Sequence, residues 1–214
     1  KRKAPAPGEG RTMTPTLDSI LALLAMALPL MGSPGPAIVA VTANGAAFGV
    51  RASLPFLFGI YAGVFTVLCL TASGVTGLLL ALPGVGPVLV GAAVLYMLYL
   101  AYKIATAPPP GMTGDAGAAA PGFIPGYGLS LTNVKAYTVF TALYAGNVLI
   151  ETDPIMDTLF KLGILTCVML FVNGAWLVFG GVFASFIRSS KIGRAFNIVM
   201  AILLLVSVAL AVKP

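Results

Sequence analysis

Long apolar runs dominate this chain, and a helix needs only about 20 such residues to cross a bilayer core of about 30 Å. Six segments of this kind fall at residues 17–48, 54–82, 85–106, 123–150, 155–187 and 192–212. Runs such as AILLLVSVALAV lack the in-out alternation of a membrane-barrel strand, so the segments read as helices. Charged residues make up 8% of the 214 positions, with 59% hydrophobic and a mean hydropathy of +1.03. Soluble domains carry about 25% charged residues. The 12 Lys and Arg together with 6 Asp and Glu are too few to coat a water-soluble core of this size, which leaves membrane lipid as the expected solvent. The expected fold is an all-α integral membrane protein of six transmembrane helices.

The net charge of +6 does not indicate nucleic acid, because the basic residues are scattered through connectors instead of forming one face. With no histidine, and with Cys69 and Cys167 both inside apolar runs, no metal site and no cofactor is expected.

Residues 1–15 (KRKAPAPGEGRTMTP) are polar and Pro/Gly-containing and read as a disordered tail, with Met13 a candidate start. A signal peptide is the competing reading of the start, opposed by the apolar pattern continuing through Ala47. The Pro-rich connector 107–122 reads as a flexible linker between a first half, 16–106, and a second, 123–214. Three spans in each half require opposite membrane orientations of any repeated unit, so an inverted repeat with broken helices is expected. Arg51, Lys103, Arg188, Lys191 and Arg194 fall in connectors that share one side, which the positive-inside rule makes cytoplasmic. Both termini then lie outside, at odds with the basic residues Lys1, Arg2, Lys3 and Arg11.

Ser33, Pro34, Gly35 and Pro36 interrupt the first span. The prolines lack the backbone donors of a continuous helix, and Gly35 opens conformations closed to other residues. Broken helices are tolerated in a bilayer where their freed polar groups face protein or a watery cavity, which is where transporters build substrate sites. A packing kink is the plainer alternative. Lys135 lies about 20 Å from either end of segment 123–150 on a straight helix. A lysine at such depth costs roughly 2.5–3.5 kcal/mol on insertion scales, so it should face a cavity or a partner unless this segment also breaks and lets it snorkel. Thr132 and Asn133 precede it with neutral hydrogen-bonding groups. The expected site takes a carboxylate-bearing solute with Lys135 as its counter-charge, and Ser33 and the carbonyls of the first break are further candidate ligands.

Asp18 and Asp157 sit in first helical turns, where the helix dipole favours an anion. With Lys135 they are the candidates for proton coupling. Asn44, Tyr61, Tyr96, Asn173 and Trp176 stand within apolar spans and either line a pathway or serve as interhelical glue and interfacial anchors. The spacings Gly45 to Gly49 and Gly59 to Gly63 suit close helix packing. They leave a homo-oligomer open.

The stretch Ser33-Pro34-Gly35-Pro36, followed by Asn44, Gly49, Arg51 and Gly59-Ile60-Tyr61-Ala62-Gly63, resembles the amino-terminal signature of the LysE/RhtB family of amino-acid exporters. GAAVLYMLYLAYKI at 91–104 looks like that family's third-span motif, and Leu131-Thr132-Asn133-Val134-Lys135-Ala136 is similar to its Asn-Pro-Lys-Ala motif. The resemblance runs from about residue 17 to 212. It implies a multi-pass carrier of the bacterial inner membrane that exports amino acids or related small metabolites by proton antiport and alternating access, and that is not an enzyme. Val134 replaces the motif's proline, which implies a softer second break, and Ala37 stands where many relatives carry Asn or Asp. The alternative from another class is a membrane thiol-disulfide electron carrier using Cys69 and Cys167. No basic residue or proline stands near either thiol to activate it, and buried cysteines of this kind are more often apolar fillers.

Overall fold

The computed structural model describes residues 14–74 and 120–186, with isolated positions within 91–106 and 194–206. The bodies of the third and sixth expected spans, the turn near Pro83, Tyr96, Lys103, Arg188, Lys191 and most of the tail and linker lie outside the described residues. Among the described residues there are six helices and no strand: α1 (Leu17–Gly32), α2 (Pro36–Ala52), α3 (Leu54–Ala72), α4 (Phe123–Leu131), α5 (Val134–Gly146) and α6 (Pro154–Phe186). Helices α3 and α6 are each long and apolar enough to cross a membrane, and α1 with α2 makes a third span if the bent pair is counted as one.

Local chemistry sets the boundaries. Thr16 opens α1 by accepting the Ser19 amide on its hydroxyl, and Asp18 stands in the first turn, where the dipole favours its charge. The expected span 17–48 is two helices that meet at 61°. Ser33 and Gly35 are both extended at the break, and Pro36 restarts the chain as the first residue of α2, the one helical position where a missing N–H costs nothing. Near its end α2 kinks at Gly49, whose φ of +78° suits glycine above all other residues. The expected span 123–150 is likewise divided, with Thr132 still helical in its backbone and Asn133 extended between α4 and α5. This second break is shorter than the first, and helix formation ends at Gly146 instead of continuing to 150. Asp153 caps α6 by accepting the Ile155 and Met156 amides.

Helix α2 packs most extensively on α6, and α3 on α4. Both crossings depend on glycines. A Cβ on Gly59 would strike the Phe123 carbonyl and one on Gly126 the Phe56 carbonyl, while Gly45 meets the Leu177 carbonyl and Gly180 that of Thr42. The Gly59 to Gly63 spacing therefore serves internal packing, with Gly63 against Tyr127 and Ser130. Phe56, Ile60, Leu129, Phe140, Leu165 and Met169 fill the core, whereas Phe58, Ile155 and Phe171 point outward. Replacing Gly126 with alanine should push α3 off α4 and destabilise the protein by about 1–3 kcal/mol, the usual range for overpacking, as read by thermal unfolding in detergent.

Candidate functional site

The two breaks meet in space. Lys135 stands in the first turn of α5 instead of the middle of a continuous helix, and its ammonium reaches back to the first break. There Nζ donates to the Ser33 carbonyl at 2.5 Å and to Ser33 Oγ at 2.7 Å. A cation at a helix N-terminus opposes the helix dipole by about 0.3–1 kcal/mol, so these two acceptors offset a position the helix itself disfavours. These candidate ligands for a solute thus hold the protein's own ammonium.

Gly35 lies against this lysine. Its φ of −165° is extended backbone open to any residue, so conformational freedom is not what position 35 requires. Space is: a Cβ there would come within 2.7 Å of Lys135 Cδ.

Other carbonyls freed at the breaks are also taken. Trp176 of α6 donates its indole N–H to the Gly32 carbonyl at 3.2 Å, and the Tyr137 hydroxyl donates to the Leu131 carbonyl at 2.9 Å. Ser33 Oγ donates to Leu30, and Thr132 donates to Gly128 and Leu129. This is how a membrane protein tolerates interrupted helices, because orphaned carbonyls find donors within the protein. Tyr137 carried no sequence signal of this role beyond its place just after the motif.

Beside the breaks lies a cavity of about 50 Å³, lined by Met31, Gly35, Asn133, Lys135, Phe140 and Asn173 among others. Ala37, Ile38 and Ala136 also border it, so the starts of both α2 and α5 face it. No side chain caps either start. The two helix N-termini therefore present partial positive charge to the cavity. Asn133 and Asn173 are 5% and 6% exposed, and the Oδ1 of each has no partner.

The other expected site residues fall elsewhere. Pro34 is exposed in the break and Pro36 is buried at the head of α2, while Thr132 closes the end of α4. Asn44 is buried further along α2, donating to the Ala40 carbonyl, and does not border the cavity. Tyr61 donates to the Leu170 carbonyl and so ties α3 to α6. Asp18 is exposed at the start of α1. Cys69 and Cys167 are unpaired, and neither borders the cavity.

Asp157 has a structural place. One carboxylate oxygen accepts the Leu149 and Ile150 amides at 2.6 and 3.0 Å, and the other meets Lys161 Nζ at 2.7 Å. Lys161, 3% exposed, also donates to the Tyr144 carbonyl and lies over its ring. The sequence signal for Lys161 is its spacing of four residues from Asp157 on one helix.

No family model and no solved structure matches the chain. It is 30% identical over 194 residues to the cysteine/O-acetylserine efflux protein of Escherichia coli, covering 90% of this chain and 95% of that protein. The protein of the same name from Shigella sonnei is equally similar, at 30% over 194 residues with the same coverage. That of Salmonella typhimurium is 29% identical over 192 residues, covering 90% of this chain and 95% of its own.

Proposed function

Because the chain belongs to the family of the cysteine/O-acetylserine efflux proteins, we propose that it is a secondary carrier exporting small α-amino acids across the bacterial inner membrane. In this reading it is a LysE/RhtB-type protein with two three-helix halves of opposite orientation, working by alternating access and proton antiport. The substrates are those with short, uncharged side chains, in keeping with the chemistry in the relatives' names. The observation that carries the reading is the Lys135 ammonium bonded across the two helix breaks to Ser33, beside a small cavity.

That arrangement supports antiport on electrostatic grounds. The solute carboxylate lies at the N-termini of α2 and α5, and its ammonium shares the cavity with Lys135. Two unit cations about 5 Å apart repel by about 3 kcal/mol at an effective dielectric constant of about 20, roughly a 100-fold upper bound on the penalty for joint occupancy, because the solute's own carboxylate attracts Lys135. A proton on Lys135 and the ammonium of a bound amino acid then compete, which is what exchange of one for the other requires. Asp18 and Asp157 carry no coupling role in this reading, since the first is exposed at a helix start and the second is committed to Lys161 and the loop amides. A thiol-disulfide function finds no support at the breaks.

The test is uptake by proteoliposomes under an imposed pH gradient. Saturable, gradient-dependent accumulation of radiolabelled L-cysteine or of another small amino acid from a panel is the expected result. No accumulation of any of them by well-folded protein would remove the carrier reading.

A further inference from the structure

Two of the residues that line the cavity beside the breaks carry a buried side-chain acceptor that no protein group uses. Asn173, from the middle of α6, spends its amide nitrogen on the Met169 carbonyl at 3.0 Å. That bond fixes the amide's orientation, since the reverse would set oxygen against oxygen, and it leaves Oδ1 buried without a partner. Asn133, from the second break, lines the same cavity with its own Oδ1 unpartnered. Buried acceptors are normally satisfied, and leaving one unmet costs about as much as a lost hydrogen bond, so two orphaned oxygens on residues that line one cavity ask for a donor from outside the chain. Asn44 has an unpartnered Oδ1 too, but it does not border the cavity.

We infer that Asn173 and Asn133 seat the primary ammonium of the transported amino acid. The assignment rests on the carrier reading above and gives the ammonium of its substrate a place in the cavity. A primary ammonium carries hydrogens enough for both acceptors, which a single hydroxyl does not. No carboxylate lines the cavity to neutralise a simple amine, whereas a zwitterion brings its own anion to the uncapped helix starts of α2 and α5. Size agrees as well. On the measure by which one water needs about 10–15 Å³, a cavity of about 50 Å³ holds roughly four water-sized groups. Ammonium, α-carbon and carboxylate make up a unit of this order.

Competition against uptake of radiolabelled L-cysteine by proteoliposomes, under reducing conditions, tests the assignment with two truncated analogues. Mercaptopropionate lacks the ammonium and cysteamine lacks the carboxylate. Asn173→Leu should raise the half-saturation concentration for cysteine by about 10- to 100-fold, the range for a hydrogen bond to a charged group, while the inhibition constant of mercaptopropionate stays within about twofold. Asn173→Asp, nearly isosteric, should keep cysteine uptake and weaken mercaptopropionate, because a second anion then meets the new carboxylate. If Asn173→Leu and Asn173→Asp weaken mercaptopropionate and cysteine alike, the side chain only shapes the cavity and the ammonium seat is wrong. Saturable cysteine uptake unaffected by either exchange would also overturn it. Wild-type protein that takes up no amino acid would overturn the carrier reading along with it, which separates that failure from failure of the seat alone.

Discussion

Lys135→Ala protein is expected to exchange amino acid for amino acid across a proteoliposome membrane yet fail to accumulate it against a gradient. Removal of the ammonium removes the cation that competes with substrate, so binding survives and the link to the proton is lost. The pH-driven accumulation ratio should fall to about one, and its apparent affinity in counterflow should hold or improve. Lys135→Arg makes the opposite case. Guanidinium stays charged at any working pH, and its planar fork does not fit the slot that Gly35 leaves for a linear side chain. A permanent cation in the cavity should depress exchange as well as accumulation, by up to about 100-fold. Loss of counterflow in a well-folded Lys135→Ala protein would instead put the ammonium on the substrate's carboxylate, and normal pH-driven accumulation would remove Lys135 from the mechanism.

Asp157→Leu should produce the largest loss of stability. The exchange strips the Leu149 and Ile150 amides of their shared acceptor and leaves the Lys161 ammonium, 3% exposed, with only the Tyr144 carbonyl and ring. Breaking a buried pair by removing one partner typically costs about 3–5 kcal/mol. Adding Lys161→Met removes the stranded cation and should recover part of that loss, leaving the cost of two unmet amides, at about 1–3 kcal/mol each. Thermal unfolding in detergent of the two single variants and the double gives the coupling between them. A loss below about 1 kcal/mol for Asp157→Leu would show that the loop 147–150 does not depend on this carboxylate.

The legibility of the site followed the range of its interactions. The first break was readable because Pro34 and Pro36 remove donors from the backbone they belong to, a strictly local effect. Reading position 35 as a conformational requirement failed for the converse reason, since the constraint comes from Lys135, more than 100 positions away, and not from φ. Lys135 itself stood out by its charge, but its acceptor did not. Its expected partner was a solute, and the packed structure supplies Ser33. Asn173 looked like any asparagine in an apolar span, with packing glue as good a reading as pathway lining. Only the arrangement of α6 against the breaks distinguishes its unused oxygen from that of Asn44.

By itself the sequence determined that this chain is apolar, helical and interrupted at a proline-flanked glycine, because hydropathy, periodicity and backbone donors are carried by neighbouring residues. Tertiary structure alone decided that the two interruptions meet, that one lysine bonds across them, and that two asparagines with unpartnered oxygens line a cavity with it. Those facts depend on helices crossing closely enough at Gly45, Gly59, Gly126 and Gly180 to bring distant residues together, and distance in space is not written in any local run of residues.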